Sequence, residues 1–197
     1  ACGVGLIAST EGKKSRKVVE YGISALKAVF HRGAVDADGK TGDGAGIHLE
    51  IPSDFFAEKI EITGHQHDGS DICVGMIFLP RNNYEAQENA RTLVESELTK
   101  SNFNIYGWRQ VPVNTKVLGE KANFTRPEIT QVLFKNNDKS LRGKDLERKL
   151  YESRRKIEKE AIKNAIDGFY ICSLSSKSII YKGMFLAESI AEFYTDL

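Results

Sequence analysis

Apolar and polar positions alternate along this chain in two distinct rhythms. Between Ser15 and Gly33 the apolar residues Val19, Ile23, Leu26 and Phe30 recur at helical spacing, with Ser15 as a cap and Gly33 as a stop. Ile47-His48-Leu49-Glu50-Ile51 instead alternates with a period of two, the pattern of a half-buried strand, and Pro52 ends it. Ile72 to Leu79 is almost continuously apolar, which predicts a strand covered on both faces. The opening run Gly3-Val4-Gly5-Leu6-Ile7-Ala8 reads as a short buried strand.

Further elements follow from the same reasoning. Ser53-Asp54 opens a short helix, and Thr63 to Asp71 is a polar surface loop. Residues 83–100 form a polar helix whose inner side is Ala86, Ala90, Leu93, Val94 and Leu98. Residues 104–113 read as a strand, and 119–134 as loop and strand. The longest helical pattern spans 140–166, with Leu146, Leu150, Ile157 and Ala161 near one stripe. Phe169–Leu174 and Ser178–Tyr181 read as a hairpin, and residues 185–193 as a short closing helix. Strands carrying hairpin signals among helices predict a layered α+β domain in preference to a doubly wound parallel sheet.

Composition narrows the function classes. At 197 residues, the chain is one substantial domain or two small ones. A net charge of +1 supplies no field for nucleic acid or an anionic membrane. Between Lys139 and Lys163 ten Lys and Arg face five Asp and Glu, without the interleaved aromatics of a nucleic-acid surface. A solvated face or a contact to a larger protein is the better reading there. No apolar run is long enough to span a bilayer. Cys73 and Cys172 lie in apolar stretches, so reduced buried thiols and a cytoplasmic location are expected. No Cys-x-x-Cys occurs, and neither a metal nor a cofactor is expected in this chain.

Two segments carry candidate chemistry. Cys2 sits near the start beside Gly3. As a first residue it could lose its thiol proton to its own α-amine and attack an amide carbonyl; as a strand residue it would be a small hydrophobe. The second segment, His31 to Gly46, holds Gly33, Gly39, Gly42, Gly44 and Gly46. Gly33 and Gly39 are separated by five residues where a P-loop has four, and the segment follows a helix where a P-loop follows a strand. An EF-hand starting at Asp36 would have Ile47 in place of its bidentate Glu. What remains is a shaped turn carrying Arg32 and Asp43, structural or functional.

Taken together, Ala1-Cys2-Gly3-Val4-Gly5, His31-Arg32-Gly33-Ala34 and Thr41-Gly42-Asp43-Gly44-Ala45-Gly46-Ile47 resemble the class II glutamine amidotransferase domain of the glutamate synthases. The likeness continues through Val74–Pro80, Gly107–Pro112, Arg154–Glu158, Phe169–Ser176 and Tyr181–Met184. It implies an amino-terminal nucleophile (Ntn) hydrolase fold, a four-layer αββα sandwich of which residues 1–197 would be the incomplete amino-terminal part. It also implies that Cys2 is the catalytic nucleophile and L-glutamine the substrate. Arg32 would help hold the nucleophile, with Gly33, Asp43 and Gly44 as site framework. Ammonia would pass to a synthase site in the remainder of the polypeptide, where 2-oxoglutarate becomes glutamate. Flavin and iron–sulfur centres are implied for that full enzyme only.

The resemblance carries two further expectations. An Ala1 still attached would make the Cys2 nitrogen an amide, which cannot act as base, so the chemistry requires its removal. The oxyanion-hole Asn-Gly pair of the family does not occur in 1–197, where the polar candidates are Asn82-Asn83 and Asn136-Asn137. These residues alone are therefore expected to be inactive, and a catalytically incomplete interaction module or a different class II amidotransferase are the alternative readings. His31 is expected to anchor the loop, His65 and His67 to be solvated, and Trp108 to belong to the core.

Overall fold

Ser15 begins the first helix, as its side chain accepts a hydrogen bond from the Lys17 N–H at 3.2 Å. In the computed structural model, which describes residues 3–197, that helix is α1 (Arg16–Ala28). It is followed by β1 (Ala45–Glu50), α2 (Ser53–Ile62), β2 (Ile72–Leu79), α3 (Tyr84–Lys100) and β3 (Phe103–Gln110). Then come α4 (Glu120–Thr125), β4 (Glu128–Asn136), α5 (Gly143–Lys163), β5 (Tyr170–Ser175), β6 (Ser178–Gly183) and α6 (Ile190–Phe193). The mixture is α+β. The chain packs as two compact units.

The larger unit comprises Glu50–Val111 and Pro127–Ile179. Its four-stranded sheet has the order β3-β4-β2-β5, and all three pairings are antiparallel. β2 is interior, which is why its run is apolar on both faces. One face carries α3 and α5, and Leu146, Leu150 and Ile157 of α5 meet Ala90, Val94 and Leu98 of α3 over Cys73, Ile77, Val132 and Phe134. The helix stripe read from the sequence is therefore the core face. Trp108 is partly buried against this cluster and donates from Nε1 to Glu95 Oε1 at 2.7 Å. At Gly107 the register of β3 shifts, and its φ of 151° makes glycine the suitable residue at this bulge.

The smaller unit comprises the described part of Ala1–Leu49 with Pro112–Arg126 and Ile180–Leu197. Its core is aromatic. Tyr194 stacks edge-on against Tyr181 at 4.9 Å and Phe193 at 4.7 Å, and its hydroxyl donates to the Lys182 carbonyl at 2.8 Å. β1 pairs with β6 in a two-stranded sheet. α1 lies close to that strand, since a methyl placed on Gly22 would sit 3.3 Å from Ile47 Cδ1.

The structure corrects four expectations. Residues 3–8 form no strand: Val4 and Leu6 are exposed, and among the described residues no strand pairs with them, so their apolar side chains have no face to bury. Phe30 is also exposed, because α1 ends at Ala28 and Phe30–Arg32 is a tighter 3-10 turn that rotates it off the stripe. Residues 119–134 contain α4 besides the strand. Finally, β5 and β6 are not a hairpin, since β5 pairs with β2 and β6 with β1.

Candidate functional site

The geometry around the glycine-rich segment begins with α1. Its end passes into the 3-10 turn Phe30–Arg32. A methyl placed on Gly3 would lie 3.5 Å from Val29 Cγ2 and 3.6 Å from Arg32 Cγ. The Arg32 stem thus runs beside the residue that follows Cys2, while Arg32 as a whole is exposed. Cys2 itself lies outside the described residues. His31 is exposed and meets its likewise exposed neighbour Phe30 edge-on at 6.1 Å, a contact within the turn itself.

From Gly33 the backbone folds on itself as a small antiparallel hairpin. The Asp36 N–H donates to the Thr41 carbonyl at 2.8 Å, and the Asp43 N–H to the Ala34 carbonyl at 3.1 Å, around a Val35–Gly42 bridge. The tip turns at Gly39, whose φ of 70° favours glycine. Asp43 therefore comes to rest beside Gly33: a methyl on Gly33 would be 3.2 Å from Asp43 Oδ1. Gly44 has φ 120° and passes near the Gly183 carbonyl. Arg32, Gly33 and Asp43 are brought together although Asp43 is ten residues further along, and Gly44 adjoins them.

An acidic pair holds the tip of this hairpin. Asp38 Oδ1 accepts from the Lys40 and Thr41 N–H groups, and Asp38 Oδ2 accepts from the Thr41 hydroxyl at 2.6 Å. These bonds depress the Asp38 carboxyl to about 2, with the Thr41 hydroxyl the largest cause. Asp36 is lowered mainly by its hydrogen bond from Lys121, at 2.8 Å. Sequence reading assigned no role to Asp38, Gly119 or Lys121, and placed Thr41 in the resembling motif without its bonds to Asp38 and α4. The signal that was there is the Asp-Gly-Lys-Thr run, since Asp side chains commonly bond the N–H groups two or three residues on.

Outside this region the other candidates have structural employment. Asn83 caps α3 by accepting from the Ala86 N–H at 3.0 Å. Asn136 donates to the Asp138 and Leu141 carbonyls, and Asn137 lies 3.5 Å from Asn102 Oδ1. His67 is half-buried and its Nε2 pairs with the Ser70 carbonyl at 2.8 Å, so it is not simply solvated; His65 is exposed and pairs with Thr63. Cys73 and Cys172 are buried and outside any disulfide. Burial, reinforced by the negative charges of Glu147 and Asp71, pushes the Cys73 thiol far above its ordinary range. Among the described residues no group of three or more His, Cys, Asp and Glu side chains could hold a metal ion, and no helix is long and apolar enough to cross a membrane.

Comparison with known proteins adds an independent line. The family model described as Glutamine amidotransferases class-II matches residues 2–197. The chain is 56% identical over 197 residues to a protein of Azospirillum brasilense called Glutamate synthase (NADPH) large chain, covering 100% of this chain and 13% of the relative. It is 39% identical over 198 residues to Ferredoxin-dependent glutamate synthase 2 of Synechocystis, covering 100% of this chain and 12% of that protein. The chloroplastic ferredoxin-dependent glutamate synthase of Spinacia oleracea is likewise 39% identical over 199 residues, again with 100% and 12% covered. The chain thus spans about one eighth of the length of these curated relatives.

Proposed function

This chain belongs to the class II glutamine amidotransferases, and on that premise we propose that it is the glutamine-hydrolysing part of a glutamate synthase, with Cys2 as nucleophile. The observation that carries the reading is the convergence of Gly3, Arg32, Gly33 and Asp43 at the start of the chain. A helix end, a hairpin and the segment next to Cys2 meet there, and the Arg32 stem lies along Gly3. Identity of 56% across the whole chain to a glutamate synthase large chain supports the choice of parent enzyme.

The chemistry follows from the residue types. With Cys2 first in the mature chain, its α-amine takes the thiol proton, directly or through water, because an amine with a pKa near 8 is a competent base at neutral pH. The thiolate attacks the side-chain amide carbon of glutamine, and the carbonyl oxygen becomes an oxyanion. Collapse of that intermediate breaks the C–N bond; the nitrogen leaves as ammonia with the proton from the amine. Water then attacks the thioester, releasing glutamate and restoring the thiol. Arg32 supports the nucleophile's segment, and Gly33, Asp43 and Gly44 shape the floor beside it. Ammonia passes to the remainder of the polypeptide, where 2-oxoglutarate accepts it.

Flavin and iron–sulfur chemistry, where the full enzyme uses it, belongs to that remainder. The buried thiols support a reducing, cytoplasmic setting. Without Asn-Gly donors for the oxyanion, residues 1–197 assayed alone are expected to turn over glutamine at least about 10²-fold more slowly than the complete domain. Glutamate and ammonia release from glutamine by the complete polypeptide, with and without Cys2→Ser, tests the function. Loss of both products in the variant supports it, and undiminished release rules it out.

A further inference from the structure

The hairpin that carries Asp43 is fastened by a contact to α4. That helix starts after Gly119, a cap residue with no side chain to accept from the first-turn N–H groups. Thr41 supplies an acceptor instead. The Ala122 N–H donates to Thr41 Oγ1 at 3.4 Å, and Thr41 Oγ1 in turn donates to Asp38 Oδ2 at 2.6 Å. The hydroxyl is thus used in both directions, and Thr41 is only 3% exposed.

Gly119 is what lets the hairpin approach. A methyl there would lie 2.1 Å from Asp38 Oδ2 and 2.3 Å from Thr41 Oγ1, so any larger residue must push the two apart. An exposed ion pair, Lys121 to Asp36 at 2.8 Å, closes the same seam from outside. On the other side, a methyl on Gly42 would be 2.5 Å from the Phe185 carbonyl oxygen. The strand of backbone leading into Asp43 is therefore pinned between α4 and the Phe185–Leu186 backbone.

We propose that Thr41 and Gly119 are positioning residues for glutamine hydrolysis: their clasp on α4 fixes the hairpin that sets Asp43 against Gly33 and keeps Arg32 beside the nucleophile's segment. The proposal rests on the amidotransferase reading above. Neither residue touches the reacting atoms. The consequence is a particular kinetic split. A slack hairpin mispositions the nucleophile's surroundings, lowering kcat, while KM is governed by the groups that hold the ends of glutamine.

The test uses the complete polypeptide as wild type, Thr41→Val, Thr41→Ser and Gly119→Ala. Glutaminase kcat and KM are measured together with amide hydrogen exchange over residues 33–46. Thr41→Val, which keeps the shape and loses the hydroxyl, is expected to lower kcat about 10- to 100-fold with KM changed less than about threefold, and to speed exchange in the hairpin. Thr41→Ser is expected to recover kcat to within about threefold of wild type. Gly119→Ala should behave as Thr41→Val; if it does not fold, the two Thr41 variants decide. A Thr41→Val enzyme with wild-type kcat, or with reduced kcat and unchanged exchange in the hairpin, overturns the proposal. A wild type that consumes no glutamine, with or without 2-oxoglutarate present, overturns the amidotransferase reading instead, and the exchange comparison still decides the clasp.

Discussion

Glu147 accepts two hydrogen bonds from one residue, the N–H of Ser176 at 2.8 Å and its hydroxyl at 2.7 Å. Its other oxygen accepts from the Ser175 hydroxyl at 2.8 Å, and Ser175 Oγ accepts from the Lys177 and Ser178 N–H groups. One carboxylate on α5 therefore organises the turn where the chain leaves β5, which pairs with β2, and enters β6, which pairs with β1. Hydrogen bonds to a charged acceptor contribute about 1.5–3 kcal/mol each, and losing several is only partly offset by water. Glu147→Ala is expected to destabilise the larger unit by about 2–4 kcal/mol, read as a lower urea midpoint with unchanged slope. A midpoint shift below the error of the measurement would assign the turn to its own serines.

The helical core makes a paired prediction. Leu150 is fully buried in the α3–α5 cluster, whereas Tyr151 beside it is exposed. Leu150→Ala should cost about 2–5 kcal/mol, and Tyr151→Ala less than about 0.5 kcal/mol. Equal costs in denaturant melts would mean that the stripe has been placed on the wrong side of α5.

The hairpin tip should show its chemistry in pH dependence. The Asp38 carboxyl is depressed to about 2 by hydrogen bonds that exist only in the folded hairpin, from an ordinary value of 3.8. A depressed acid contributes order that is present above the ordinary value and is lost as pH falls through the folded value. Amide exchange at residues 36–41, corrected for intrinsic rates, should therefore stay slow down to about pH 4 and rise between pH 4 and 2. A carboxyl titration near 3.8 in a carbon-detected spectrum would contradict the Thr41–Asp38 bond.

How much of this was legible beforehand depended on whether the deciding force was local. Helix α5 could be read because Leu146, Leu150 and Ile157 share one stripe, and β2 because a strand covered on both faces must be apolar throughout. The pairing of β5 and β6 with different sheets could not, because Ser175–Ser178 looks like any short polar connection until Glu147, 28 residues upstream of Ser175, is brought to it. Gly3–Ala8 was misread since apolar character alone does not supply a partner strand. At the candidate site, Arg32, Gly33 and Asp43 were visible through resemblance, while Thr41 was visible only as part of a motif and Gly119 not at all. Their roles depend on a contact spanning 81 residues between Thr41 and Ala122.

The central claim is that Cys2 is the nucleophile, and thiol reactivity tests it most directly. Cys73 is fully buried, its thiol held protonated far above neutral pH, and Cys172 is buried as well. The complete polypeptide, native at pH 7.5 or thereabouts, is treated with the glutamine-mimicking electrophile diazo-oxo-norleucine and mapped by peptide mass. The predicted result is one adduct, on the peptide that contains Cys2, appearing in step with loss of glutaminase activity and slowed by added glutamine. An adduct mainly on Cys73 or Cys172, or activity that survives full modification of Cys2, would contradict it.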